Sequence, residues 1–578
     1  MKPLFGIAHT KAGVPKRFTL ACAGGWQDTI SRATKGSASC KKGVWSLPVD
    51  PVLLRRLIPV LGADMTKELQ DYLKGLREKQ KRISLAIAND SPISPEDRLR
   101  GPVQRASVRF LEEGRRVILA HEMGIGKTVI ACKALSLIRP MRVLVVCPNS
   151  VKWSWVNHIN EWAEQEHPTL VMESGGRSKE ELRERNGGFI LYGSRAERDN
   201  QLSYHLAQRK NFTLILNYEQ ATMHQQVLCA GIYDVIIVDE AHRAKNRTAQ
   251  RTIALRKITP LTNYLWLLTG TPIRNNYTDV WSLLNLCDPV RFSSFWNFVN
   301  MYLQVEINYF GGRDIFGPID PTEFNGMLAQ YMFRKTKKEA LPELPDKIYE
   351  DRTLQLLPKQ ELAYIQMERK FVLDIKRQLE DGSTIDAVLR APTTIAQLIR
   401  LRQICLTPAL LGGVEESAKL VALKEIIEDF KETNTKFLIY TNFRAFIPHI
   451  ERLFRYSNVN YAIIQGGQKS TERAEIESNL RGPRLQGVVG TIGAMGEGMN
   501  LQAATVAVFC DRDWVPDANR QAEDRLHRDG IKKSPVILTL YHPNTIEEDI
   551  RATCAKKSKI INETVGQVEV VRRMLERW

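Results

Sequence analysis

The stretch Ile118–Leu135, ILAHEMGIGKTVIACKAL, sets two glycines, a lysine and a hydroxyl at what reads as a strand-to-helix turn. Gly124 and Gly126 let backbone N–H groups approach phosphate oxygens. Lys127 reaches the outer phosphates, the Thr128 hydroxyl is of the type that holds Mg2+, and the following helix presents its positive dipole end. The strict pattern G-x-x-x-x-G-K-[ST] asks for glycine five places before Gly126, and His121 stands there. A second stretch, Val235–Asn246 (VIIVDEAHRAKN), is an apolar run that ends in two adjacent carboxylates. Beside a phosphate loop, Asp239 would hold Mg2+, usually through water, and Glu240 would orient and deprotonate the attacking water. Alone, a GKT is often chance and an acidic pair after a strand is often surface. Each makes the other far more specific.

Two further stretches complete the set. Trp266–Asn276 (WLLTGTPIRNN) runs from an apolar strand into a small-residue turn. Thr269, Gly270 and Thr271 there are placed to link nucleotide state to a domain interface. Asp517–Gly530 (DANRQAEDRLHRDG) puts Arg525 and Arg528 three apart. On a helix they would share a face, from which both would reach across a cleft to a γ-phosphate. Arginine there stabilises the charge that develops on a transferring phosphoryl group.

These residues need rigid strands behind them, and the sequence supplies two sets. RVILA, RVLVVCP, TLILNYE, YDVIIVDE and YLWLLTG alternate with helical stretches up to about residue 290, and KFLIYT, YAIIQG, GVVGTI, TVAVFCD and VILTLYH follow later. Continuous apolar runs mean strands buried on both faces, hence parallel sheets flanked by helices. The expected fold class is α/β, with two parallel-sheet lobes, a helical insertion between them and a small N-terminal module. The boundaries expected are 1–60 for the module, 61–97 for a helical linker, 98–290 for the first lobe, 291–435 for helical insertions and the inter-lobe linker, 436–550 for the second lobe and 551–578 for a C-terminal helical segment. Three prolines in NDSPISPEDRLRGP mark the boundary before the first lobe.

In order, AHEMGIGKT, VDEAHRAKN, LTGTPIRNN, FRKTKKEALPELPDK, GEGMNLQ and QAEDRLHR resemble the motif series of helicase superfamily 2, and within it the Swi/Snf-type DNA translocases. The resemblance spans roughly Leu99 to Ile550. It implies two RecA-like lobes, ATP hydrolysis with Mg2+, and movement along duplex or branched DNA. It implies ATP contacts at Gln104, which would meet adenine, along His121, Glu122, Met123, Gly124, Ile125, Gly126, Lys127 and Thr128, and at Gly496 and Gly498. Gln521, Arg525 and Arg528 would complete catalysis from the second lobe. Contacts to DNA are expected at Pro148, Asn149, Ser150, Thr441, Asn442, Thr491 and Trp514. The family commonly has Asp where His121 stands, so the missing glycine is no objection. Val103 and Asp529 also depart from the family pattern. The QAEDR wording and the Trp45 segment are similar to the annealing-helicase (HepA-related) branch; the plainer reading of that segment is a small α/β knob that caps the first lobe.

The bulk numbers agree with this reading. The chain has 578 residues and a net charge of +17, from 82 Lys+Arg against 65 Asp+Glu, which favours a polyanionic partner. With 43% hydrophobic and 25% charged residues, it holds enough apolar matter for several cores. The nine cysteines form no C-x-x-C pair, and several sit in apolar runs, so buried free thiols are expected in place of zinc or disulfides. No apolar run approaches the roughly 18 residues of a membrane helix, and an intracellular, soluble protein is expected. The competing readings are a strand-separating helicase of the same superfamily, a scaffold that has lost hydrolysis, and the motor of a restriction or defence complex.

Overall fold

The structure, a computed structural model, describes residues 3–9, 15–21, 26–34, 38–41, 44–93, 98–163, 168–173, 184–185, 188–208, 211–260, 262–273, 276–307, 312–380, 392–468, 470–496, 499–528 and 530–556. It divides into two compact units, Met1–Glu122 with Gly126–Ala340, and Leu341–Trp578 with Met123–Ile125.

The first unit is built on a nine-stranded sheet. Its order is Met332–Phe333, Arg116–Leu119, Tyr264–Leu268, Val235–Asp239, Arg142–Cys147, Phe212–Asn217, Thr169–Met172, Gly188–Leu191, Glu184–Arg185. All neighbours run parallel except the last pair. Alternate residues feed two cores. Leu144, Val146, Ile236 and Val238 pack on one face, and Val143, Val145, Val235 and Ile237 on the other. That double burial is why these strands read as unbroken apolar runs.

A five-stranded sheet forms the N-terminal module, ordered Ser39–Lys41, Val44–Leu47, Pro15–Ala21, Leu4–His9, Asp64–Met65. Trp45 lies on a strand there, opposite Leu20. The module therefore extends past the expected boundary at residue 60, since the strand Asp64–Met65 pairs with Leu4 and Phe5. The helix Pro51–Leu61 follows Asp50, whose side chain caps it by accepting from the Val52 N–H. Asp50 also locks the module to the first lobe. Arg291 Nη2 donates to its Oδ1 at 3.1 Å and the Tyr302 hydroxyl to its Oδ2 at 2.6 Å, all in the interior. Val52 and Leu53 join the lobe's own core. The expected long helix is present as Lys67–Ala88, with Leu69 and Ile83 buried.

Residues 291–435, expected as helical, also contain strands. Leu303–Ile307 and Arg313–Pro318 form a hairpin, Met332–Phe333 adds an edge to the first sheet and Ile348–Thr353 an edge to the second. Edge strands need no continuous apolar run, and IYEDRT is largely exposed, so its pattern carries no strand signal. The second unit's sheet is wholly parallel, ordered Ile348–Thr353, Val536–Tyr541, Val506–Phe509, Phe437–Thr441, Gly487–Thr491, Tyr461–Ile464. Among the described residues no helix is long and apolar enough to cross a membrane. Cys132, Cys147, Cys287, Cys405 and Cys510 are free and buried.

Candidate nucleotide site

Register across the first sheet sets the site. Leu268 lies level with Leu119 on one side and Asp239 on the other. The phosphate loop therefore leaves the same sheet edge as Asp239, one strand away, with Thr269 between. In open parallel sheets ligands bind at this carboxyl edge.

The loop itself has the backbone its glycines allow. Gly124 has φ 88° and Gly126 φ 92°, the left-handed region that other residues enter only with strain. Helix Lys127–Ile138 starts directly after Gly126. A Cβ on Gly126 would stand 2.9 Å from Gln104 Nε2, so a side chain there would also push the Gln104 amide aside. Gln104 is buried beside the loop, and its Oε1 accepts from the Arg100 N–H at 2.7 Å. Lys127 Nζ donates to the carbonyls of His121 at 2.8 Å and Glu122 at 3.2 Å, curling over its own loop, and Thr128 is half-buried.

His121, expected along the ATP-contacting loop, turns its ring into the interior. The side chain is fully buried and stands edge-on to Phe333 at 5.1 Å. Its Nδ1 accepts from the Lys335 N–H at 3.0 Å, which assigns the proton to Nε2. Nε2 then donates to Ser107 Oγ at 2.6 Å, and Ser107 donates to the Val103 carbonyl. Burial, then the charges of Lys127 and Lys335, push its pKa down to about 3, so the ring is neutral. Glu122 also turns inward, and its Oε2 accepts from the Lys337 N–H at 2.9 Å. Both side chains tie the loop's entry to Lys335–Lys337.

Asp239 is held by two donors. Trp155 Nε1 donates to Oδ2 and the Glu240 N–H to Oδ1, each at 2.9 Å. Burial, then the Glu240 carboxylate, push its pKa up to about 6, against the Trp155 hydrogen bond and the Lys127 charge. A hard oxygen donor oriented by N–H groups and short of positive charge suits a divalent cation. Asp239 and the Thr128 hydroxyl both offer oxygen donors of the kind Mg2+ takes. Trp155 was not legible as a site residue, because an indole in a helix reads as core; the family of aromatic residues in KWSWVNHINEW was the only signal. Glu240 has φ 51°, which costs roughly 1–2 kcal/mol for a residue with a side chain. The buried Tyr218 hydroxyl lies 2.6 Å from the Asp239 carbonyl and 3.1 Å from that of Glu240, fixing this turn. His242 Nδ1 lies 3.2 Å from Glu240 Oε2 and 3.3 Å from Thr269 Oγ1. The carboxylate and the turn after the neighbouring strand thus share one imidazole.

Asn149 and Ser150 follow Pro148 at the end of strand Arg142–Cys147, on the same carboxyl edge. Asn217 Nδ2 donates to Asn149 Oδ1 at 3.0 Å, while the Ser150 hydroxyl is buried with no hydrogen-bond partner among the described residues.

In the second unit several expectations change. The helix is Pro516–Glu523 and ends before both arginines, so Arg525 and Arg528 do not share a helical face. Gln521 stays on the helix. Arg525 is 3% exposed and donates from Nη2 to the Gly496 carbonyl at 2.6 Å and from Nη1 to that of Met499 at 3.3 Å. Arg528 Nε donates to the Asp524 carbonyl at 3.3 Å. Burial and the charge of Arg525 lower the Arg528 pKa to about 9, with Glu477 and Asp524 acting the other way. Gly498 lies outside the described residues.

Thr441 and Trp514 are buried and cannot serve as surface contacts to DNA. Thr441 Oγ1 donates to Asp511 Oδ1 at 2.8 Å and Asn442 Nδ2 to Asp511 Oδ2 at 2.7 Å. Arg402 donates to the same Oδ2 at 3.0 Å and lies 5.0 Å over the Trp514 ring. Thr491 is spent on a helix cap, accepting from the Ala494 N–H.

A phosphate loop and a carboxylate pair one strand apart on a parallel sheet define a P-loop nucleotide-hydrolase lobe. The chain belongs to the SNF2-related family of helicase-like ATPases: residues 72–410 match the SNF2-related domain and residues 418–530 the helicase conserved C-terminal domain. It is 27% identical over 476 residues to the ISWI chromatin-remodeling complex ATPase ISW1 of Saccharomyces cerevisiae, covering 78% of this chain and 39% of that one. It is 27% identical over 471 residues to an uncharacterized ATP-dependent helicase of Mycoplasma pneumoniae, covering 79% and 41% respectively. The chain therefore spans about two fifths of the length of these curated relatives. A solved Sulfolobus solfataricus SWI2/SNF2 ATPase core in complex with dsDNA matches at 23% identity and a TM-score of 0.36, covering 84% of this chain and 98% of that one.

Proposed function

We propose that this protein is an ATP-driven translocase on double-stranded or branched DNA, remodelling DNA structures or DNA–protein complexes in repair, recombination or replication. The observation that carries the reading is the arrangement of Lys127, Thr128, Asp239 and Glu240 at one carboxyl edge. Lys127 and the backbone of Gly124–Gly126 grip phosphates, and Thr128 with Asp239 would hold Mg2+, which would supply charge neutralisation at the phosphates. Glu240, aimed by its strained backbone and by His242, orients a water and takes its proton. Arg525 and Arg528 offer positive charge to a phosphate oxyanion.

A net charge of +17 supports a polyanion such as DNA as the track. The remodelling named for the yeast relative supports displacement of proteins over strand separation. ATPase rate against single-stranded, duplex and forked DNA tests this. Duplex or forked DNA should stimulate most, and a labelled partial duplex should stay paired. Stimulation by single strands alone, with unwinding, would establish a strand-separating helicase instead. Rewinding of complementary strands would place the protein in the annealing-helicase branch. Binding should weaken steeply with salt and vary little with sequence, since a motor must release each phosphate it grips.

A further inference from the structure

A cleft of about 730 Å3 opens within the first unit, and its lining includes none of the phosphate-loop residues and neither Asp239 nor Glu240. Helices Pro51–Leu61 and Lys67–Ala88 form one wall, and Pro260, Cys287–Pro289 and Tyr331 of the first lobe the other. Its volume falls in the range of small-molecule sites, roughly 300–1,000 Å3. Leu54, Leu73 and Leu76 make part of its lining apolar.

The charges inside do not balance. Asp288 is the one acid in the lining, and both its oxygens already accept, from the Arg291 N–H at 2.9 Å and the Tyr331 hydroxyl at 2.7 Å. Arg116 is likewise committed, donating to the carbonyls of Thr259, Thr262, Leu286 and Cys287. Lys79 is different. Its ammonium lines the cleft and makes no hydrogen bond or ion pair among the described residues, while Arg55 and Arg77 add exposed positive charge to the lining. Burial lowers the Lys79 pKa, and the Asp288 charge offsets this only in part. A cation whose nearby carboxylate is already engaged by other donors is stabilised by any further anion that arrives with an apolar body. Reaction chemistry is absent. Cys287 lines the cleft, but burial pushes its thiol up to about 12, so it is no nucleophile.

We infer that this cleft binds a small amphipathic anion, an apolar or planar body bearing one phosphate or carboxylate, with Lys79 as the anion's partner. The site is separate from the nucleotide site and independent of the function proposed above.

The test uses the full chain, saturated with ADP and Mg2+, and 8-anilinonaphthalene-1-sulfonate as the probe. Saturable binding of one dye per chain is expected. Lys79→Met keeps the aliphatic stem, removes the charge and should weaken binding roughly tenfold or more. Leu76→Trp keeps the charge, fills the cleft and should do the same. Both should keep the wild-type unfolding midpoint and basal ATPase rate. Competition with a nucleoside monophosphate and with decanoate distinguishes a phosphate from a carboxylate source, and displacement by either supports the inference. No saturable binding overturns it. So does undiminished binding by Lys79→Met, which would make the cleft merely apolar, or by Leu76→Trp, which would put the dye elsewhere. Displacement by duplex DNA but by neither small anion overturns it in favour of a nucleic-acid surface.

Discussion

Strand Val235–Asp239 of the first unit and strand Phe437–Thr441 of the second both end in polar residues at the carboxyl edge of a parallel sheet. Their polar groups are used in opposite ways. Among the described residues Asp239 accepts from two N–H donors, and burial leaves its pKa raised to about 6. Beyond Thr441, the carboxylate of Asp511 is fully answered, by Thr441, by both nitrogens of Asn442 and by Arg402. One edge keeps an electrostatic debt that a cation and phosphates can settle, and the other has settled it internally. Position on the fold does not make a site. Incomplete pairing does.

The sharpest break of this contrast is Lys127→Ala. It should cut ATP turnover by roughly 10³-fold or more while the unfolding midpoint holds, because the lysine is half-buried at the loop and gives two of its hydrogen bonds to the loop's own carbonyls. Turnover near wild type would move the phosphate site elsewhere. Asp511→Ala should show the reverse. Arg402, 5% exposed, would lose its counter-charge, at a cost of about 3–5 kcal/mol in urea unfolding. Arg402→Met on top of Asp511→Ala should recover part of that, since the stranded charge is gone. A loss below 1 kcal/mol would mean the network is not structural.

Trp155→Phe sharpens the comparison inside the first unit. It removes the donor to Asp239 and keeps an aromatic ring in the core. The Mg2+ concentration for half-maximal ATPase should rise about 10–100-fold, with kcat at saturating Mg2+ much less affected. Direct Mn2+ binding by electron paramagnetic resonance should weaken in step. An unchanged metal dependence would leave Trp155 as packing alone.

At neutral pH the smallest effect belongs to His121, whose contribution shows only as the pH falls. Its folded pKa of about 3 lies below the ordinary value near 6.5, so the folded state resists protonation. The stability this group contributes is full above about pH 6.5 and falls as pH drops toward 3, by about 1.4 kcal/mol per pH unit. His121→Gln should flatten that part of the stability curve between about pH 6 and 4. Parallel curves for both proteins would show that the imidazole is not buried and neutral.

The doubly buried strands, the phosphate loop and the Asp239–Glu240 pair were legible because each leaves a local pattern: an apolar run, a glycine spacing, an acidic pair after a strand. The inward turn of His121 was not, because its partners Ser107 and Lys335 lie 14 and 214 residues away. The burial of Trp514 and Thr441 was hidden for the same reason: Arg402 and Asp511 meet them only in the fold. Arg525 and Arg528 were expected on a helix from their spacing, but the helix stops at Glu523. Glu523 itself pairs with Lys347 and Arg512, another contact that spacing cannot reveal. The edge strand Ile348–Thr353 escaped notice because an exposed strand needs no apolar alternation.

The lock at Asp50 also sets a timetable. Asp50 and Arg291 are 241 residues apart in the chain. At roughly 5–20 residues per second of synthesis, about 10–50 seconds pass between the appearance of one and of the other. Through that interval the N-terminal module can close its own small core of Phe5, Phe18, Leu20 and Leu57, yet Val52 and Leu53 wait bare for the lobe they will join. Translation speed across residues 50–291 thus decides how long a sticky, half-finished surface faces the cell, and slow codons in that span would favour aggregation or chaperone capture.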